Sequence, residues 1–203
     1  MGQYYKAIVL SDDFKENETT PIVAIATPWD YDNGAKLMEH SYVGNHLTLQ
    51  MENELATTHY GKRFVWGGDY ADENPLWKEK EDGEEWELNC YGKCNQMAKT
   101  DTSLIIEPSD YDELKKAHKY HKFIVNLDKK EFVKMPRTRN KWPYAVHPLP
   151  LLCADGNGRG GGDYREDGKG VEFIGRWAFD HIGVTDEIPE GFEEIKPNFK
   201  ENR

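Results

Sequence analysis

The stretch Gly156-Asn157-Gly158-Arg159-Gly160-Gly161-Gly162 combines a glycine-rich backbone with one guanidinium, and it follows the apolar run at 149–154. Its G-x-G-x-x-G spacing is formally that of a dinucleotide fingerprint, in which a helix N-terminus must follow to hold the pyrophosphate. Here the next residues, Tyr164-Arg165-Glu166-Asp167-Gly168-Lys169-Gly170, form turns rather than helices, and a Rossmann site is not expected. The segment instead offers a run of backbone N–H groups at Asn157, Gly158, Gly160 and Gly161 beside Arg159, able to wrap an anion as a nest does. The plain alternative is a long flexible hairpin loop. Set against a calcium loop, Asp155, Asn157, Gly160, Asp163 and Glu166 fall at the first, third, sixth, ninth and twelfth positions. Arg159 then occupies the fifth, where an oxygen ligand belongs, so Asp155, Asp163 and Glu166 are weak metal candidates.

Arg176-Trp177 and Arg63 with Trp66 supply a second chemistry. Arginine presents a rigid fork to phosphate, and an indole face stacks on a base, so the four residues suit a nucleotide. The competing reading makes Trp66 and Trp177 core aromatics and pairs the arginines with nearby aspartates. If the chain is an enzyme, His147, Asp180 and His181 are the catalytic candidates. An Asp-His pair can act as base and orienter, and with Asp155 and Asp163 these residues could hold a divalent metal. No H-E-x-x-H, G-x-S-x-G or P-loop pattern is present, and Cys90-x-x-x-Cys94 lacks the second pair a zinc site needs.

These residues belong to a chain of 203 with 31% charged side chains and a formal net charge of −11. The negative balance repels polyanions and anionic membranes, so neither bulk nucleic acid nor membrane is an expected partner. The charge is unevenly spread. Residues 72–87 hold eight carboxylates against Lys78 and Lys80, whereas residues 115–141 hold ten lysines and arginines against Asp128 and Glu131. Both runs can be solvated surface; the second can also be a basic surface for phosphate-bearing ligands. Cys90, Cys94 and Cys153 cannot all pair within one chain, and neither a signal peptide nor a membrane span is expected.

The expected fold class is α+β, with antiparallel hairpins, short sheets and a few helices. Strands are expected at 4–10, 21–26, 62–66, 103–106 and 171–174, and a hairpin over 122–135. Residues 35–56 have helical periodicity with a break at Gly44-Asn45. A charged surface helix is expected at 76–88, and another helix at 109–119, capped by Ser109. The tail after Pro189 is acidic and expected to be loose. An offset of about 113 residues sets residues 1–110 against 111–203, aligning Gly44-Asn45 with Gly156-Asn157 and Arg63 with Arg176. The expectation is one unit built of two related halves about a pseudo-twofold axis, with coincidence as the alternative.

Ile124-Val125-Asn126-Leu127-Asp128-Lys129-Lys130-Glu131, Arg159-Gly160-Gly161-Gly162-Asp163 and Gly175-Arg176-Trp177-Ala178 resemble motifs of a family of uncharacterised bacterial proteins. The opening Met1-Gly2-Gln3-Tyr4-Tyr5-Lys6, with Lys36-Leu37-Met38-Glu39-His40-Ser41 and Trp66-Gly67-Gly68-Asp69-Tyr70-Ala71-Asp72, looks like relatives encoded by phages and other mobile elements. That resemblance implies a role against host defence, in the host cytoplasm, and assigns no catalytic residue. The expected function is non-catalytic binding of a small anionic or nucleotide-like ligand, with no cofactor. The alternatives are a metal-dependent phosphodiester or nucleotide hydrolase and an acidic protein-interaction module. A homo-oligomer is compatible with each.

Overall fold

The computed structural model describes residues 3–136, 145–156, 164 and 170–199. The α+β expectation holds: an antiparallel-dominated sheet carries a few short helices. Its strands are β1 (Tyr5–Leu10), β2 (Ile22–Ala26), β3 (Lys62–Gly68), β6 (Phe123–Asn126), β7 (Glu131–Lys134), β8 (Ala154–Asp155), β9 (His181–Thr185) and β10 (Glu193–Glu194), and β4 (Asn74–Glu81) with β5 (Glu84–Leu88) forms a separate hairpin. The large sheet runs β10-β7-β6-β9-β3-β1-β2, and β8 lies parallel to β3. One edge of β3 is divided: β9 pairs with Lys62 and Arg63, and β8 with Trp66 and Gly67.

β1 is buried at every position, which explains its mostly apolar Tyr-Lys-Ala-Ile-Val-Leu composition; the buried Lys6 amine donates to Asn95. Tyr5, Ala7 and Val9 point into one apolar cluster with Leu47, Met51, Leu55, Leu149 and Trp177. Ile8 and Leu10 point into the other with Val65, Trp77, Leu88, Cys90 and Cys94. The first face is covered by α2 (His46–Ala56) and α5 (Pro148–Leu152), the second by α3 (Cys90–Ala98) and the β4–β5 hairpin. The helical region at 35–56 is broken as expected, into α1 (Leu37–His40) and α2, with Asn45 capping α2 by accepting from the Thr48 amide.

Three expected elements take other forms. Residues 76–88 form the β4–β5 hairpin, not a helix. Asp82 and Gly83, with φ of 53° and 86°, make its tight turn, and the charges pair across the strands, Lys78 with Glu87 at 2.6 Å and Lys80 with Glu85 at 2.9 Å. Trp77, 1% exposed, anchors the hairpin, its indole N–H donating to Asn17 O at 3.0 Å. Gly83→Ala is expected to cost about 1 kcal/mol, because φ is positive there; a urea melt measures it. The expected strand at 171–174 is a 3-10 turn over Val171–Phe173, entered through Gly170 at φ 82°, and the strand follows later as β9. The expected strand at 103–106 is a 3-10 turn, Thr102–Leu104, followed by a single bridge from Ile105 to Ile25. In α4 (Tyr111–His118), Asp110 rather than Ser109 is the cap, accepting from the Glu113 amide at 2.9 Å.

Each half of the chain contributes three adjacent strands with its first strand in the centre, β2-β1-β3 and β9-β6-β7, and the halves meet in one sheet. The landmark pairs expected from the offset of about 113 residues fall at different places. Arg63 lies on β3 opposite His181, whereas Arg176 lies in the turn before β9. Gly44 precedes a helix, and Gly156 follows β8.

Candidate functional site

The residues expected to form a site are dispersed. Asn157, Gly158, Arg159, Gly160, Gly161, Asp163 and Glu166 lie outside the described residues. Asp155 ends β8, where burial, and after it the charge of Asp72, raises its carboxyl to about 6. Arg176 is spent on Glu131, its Nε and Nη2 donating to the two carboxylate oxygens at 3.0 and 2.5 Å. The Trp177 indole N–H donates to the same carboxylate at 2.8 Å. The hydrogen bond from Arg176, with that from Trp177 and the charge of Arg176, outweighs burial and holds the Glu131 carboxyl below its usual range. Trp66 and Trp177 are both 0% exposed, so neither indole has a face for a base to stack on. Arg63 donates to Phe179 O at 2.9 Å and stands 3.9 Å from Asp128.

Asp180 and His181 do not form a base-orienter pair. Asp180 accepts from Asn126 at 2.7 Å and from Lys129, while His181 bonds Asp128 through Nδ1 at 2.8 Å and Asp12 through Nε2 at 3.2 Å. His147 belongs elsewhere, to a cluster centred on a residue that sequence reasoning overlooked. Glu52 projects from α2 into the interior with its side chain 0% exposed. Its Oε2 accepts from His118 Nδ1 at 2.7 Å and from His121 Nδ1 at 3.2 Å, and its Oε1 from His147 Nε2 at 2.6 Å. Burial pushes the Glu52 carboxyl up, but hydrogen bonds from His118, His121 and His147, together with the charge of His147, override it and hold the group well below the usual carboxylate range.

Three imidazoles and a carboxylate resemble a metal-ligand set, but one hydrogen bond argues otherwise. His147 Nδ1 accepts the Leu149 amide at 3.2 Å, as the cap of α5, so in the neutral ring the proton sits on Nε2, facing Glu52. A metal would need the lone pair there. Among the described residues, no group of three or more His, Cys, Asp or Glu side chains could hold a metal ion.

His118 is shared between this cluster and a cleft of about 1060 Å³. One wall is the N-terminal end of α2 with Gly44, Asn45 and His46, where the helix dipole is positive. The opposite wall is α4, with Tyr111, Lys115, Lys116 and Lys119, and Tyr31 and Tyr42 complete the aromatic lining. His46 is held edge-on between Tyr31 and Tyr111, at ring-centroid distances of 5.3 and 5.4 Å, and its Nε2–H donates to Ser109 O at 2.9 Å. Tyr111 OH donates to Gly44 O at 2.8 Å, tying the two walls together. Lys115 and Lys116 make helix-surface ion pairs with Asp112 and Glu113 at 3.9 and 2.5 Å, and Lys119 joins none of the described pairs.

The lysines belong to the basic run at 115–141 noticed in the sequence, and Gly44-Asn45 to the expected helix break. Glu52 carried no such signal, because 66, 69 and 95 residues separate it from its three histidines. Among the described residues, no helix is long and apolar enough to cross a membrane. Compared with known proteins, the chain matches no family model, and no curated protein or solved structure matches it.

Proposed function

We propose that this chain binds a small anionic, nucleotide-like ligand in the cleft between α2 and α4. The observation that supports the reading is the meeting of Lys115, Lys116 and Lys119 with the positive end of α2 across a cleft lined by Tyr31, Tyr42, Tyr111 and His46. Lysines and a helix N-terminus suit phosphate, and the partly exposed rings of Tyr42, Tyr111 and His46 give a planar base something to pack on, with the buried Tyr31 behind them. The ion pairs of Lys115 and Lys116 lie on the surface and are screened by solvent, so they are weak competitors. A mobile-element protein of this kind would act by withdrawing a signalling nucleotide from its receptor.

Titration calorimetry with pyrophosphate, ADP and a cyclic dinucleotide tests the reading. Wild-type protein is expected to bind at least one of them, with affinity falling as salt rises. The double variant Lys116→Glu, Lys119→Glu is expected to weaken binding by at least about tenfold, a loss of about 1.4 kcal/mol. Wild-type protein silent toward all three ligands, or a double variant that binds as tightly as wild type, overturns it.

A further inference from the structure

The cleft is not uniformly cationic. Lys115, Lys116 and Lys119 and the start of α2 attract phosphate, yet Asp32 and Asp112 line the same space. Asp112 is occupied, 3.9 Å from Lys115 on the surface of α4. Asp32 is different: none of the described hydrogen bonds or ion pairs involves its carboxylate, although three lysines line the cleft with it. Its backbone is fixed from both sides. Tyr31, buried, donates its hydroxyl proton to Ile106 O at 2.7 Å. Asn33 donates to Tyr31 O at 2.8 Å and accepts from Asn45, the cap of α2, at 2.5 Å. Asp32 itself closes the 3-10 turn Pro28–Tyr31 at φ 55° and ψ 34°, a left-handed conformation that aspartate and asparagine tolerate.

A ligand anionic throughout would be repelled at Asp32, so the part of it lying there must bring hydrogen-bond donors. Two adjacent donors suit the two oxygens of a carboxylate best. Guanine is the nucleobase with that edge, N1–H beside the N2 amine. Adenine and cytosine set an amine beside a ring-nitrogen lone pair, which a carboxylate repels, and uracil flanks its single N–H with carbonyl oxygens. We propose that the cleft takes a guanine nucleotide, its base read by Asp32 and its phosphates held by the lysines of α4 and the start of α2. The inference rests on the cleft being the anion site.

Calorimetry on the full chain with GDP, ADP, inosine diphosphate and xanthosine diphosphate tests it. GDP is expected to bind at least about tenfold more tightly than ADP, the scale of hydrogen bonds to a solvent-accessible charge, with inosine diphosphate, which lacks the amine, in between. Asp32→Asn keeps the size and suits the left-handed backbone but exchanges one acceptor for a donor. In that variant GDP is expected to weaken about tenfold, and xanthosine diphosphate, whose C2 carbonyl replaces the amine, to become the preferred ligand. A damaged fold would weaken every nucleotide alike and could not produce that exchange. ADP bound by wild type as tightly as GDP, an unchanged preference in Asp32→Asn, or a loss in that variant equal for all four nucleotides overturns this inference and leaves the cleft reading standing. None of the four bound, with pyrophosphate and the cyclic dinucleotide silent too, overturns both.

Discussion

Glu52→Ala is expected to lower folding stability by about 3–5 kcal/mol, the usual cost of removing one partner from a buried ionic set. The substitution leaves three imidazole N–H groups, on His118, His121 and His147, facing an interior with no acceptor. It also opens space in α2 beside Leu49 and Leu55, both buried. Glu52→Gln keeps the volume and one acceptor oxygen, so its loss should be smaller. A urea titration monitored by circular dichroism measures both, and wild-type stability in Glu52→Ala would mean that the carboxylate does not bind the three histidines together. The sign with pH follows from the depressed Glu52 carboxyl. Its contribution is complete above the unfolded carboxylate range and is lost as pH falls below about 4.5.

The second large effect arises at His40 and falls in a different pH window. His40 is 0% exposed, its Nδ1–H donating to Gly34 O at 3.0 Å and its Nε2 accepting the Trp66 indole N–H at 2.8 Å. Both ring nitrogens are thus committed to the neutral tautomer. Burial pushes the ring down to about 4, only partly countered by the Gly34 carbonyl and Glu39. An unfolded histidine takes its proton near pH 6.5, whereas the folded one resists until about pH 4. Stability from this site is therefore full above about pH 6.5, declines as pH falls between those values, and levels off below them, for a total of about 3 kcal/mol. His40→Gln can offer Trp66 an acceptor and cannot be protonated, so stability measured from pH 7 to 4.5 should flatten in that variant. A variant as acid-sensitive as wild type would assign the decline to another group.

The two windows separate because the groups answer to opposite surroundings. Glu52 is charged and surrounded by donors, so acid must protonate it to unfold the protein. His40 is neutral with its lone pair in use, so acid must break an indole hydrogen bond to charge it. Denaturation curves over the whole acid range should accordingly show two steps, the upper removed by His40→Gln and the lower by Glu52→Gln.

Local patterns in the amino-acid order were enough for the elements whose partners lie nearby. The β6–β7 hairpin is written as two alternating runs around Asp128-Lys129-Lys130, the break between α1 and α2 as Gly44-Asn45, and β1 as a mostly apolar run, interrupted by Lys6, that is buried on both faces. The β4–β5 hairpin could also have been found, since Asp82-Gly83 is a tight-turn signal; its dense charge suggested helix-surface pairs where the structure has cross-strand ones. β9 was hidden because it is a strand only through pairing with β3 and β6, and its short His-Ile-Gly-Val-Thr composition has no strong period of its own.

The site divides along the same line. Residue type and charge clustering are enough to locate the basic run at 115–141 and to raise the expectation of an anion rather than bulk nucleic acid, since both follow from composition alone. Composition could not say that Trp66 and Trp177 are closed to ligands, that Arg176 is bound to Glu131, or that Glu52 gathers His118, His121 and His147. Those facts depend on which side chains the sheet and its covering helices press together across scores of residues. Burial then turns an ordinary carboxylate and ordinary imidazoles into a coupled set, because charge unmatched away from water is too costly to leave alone.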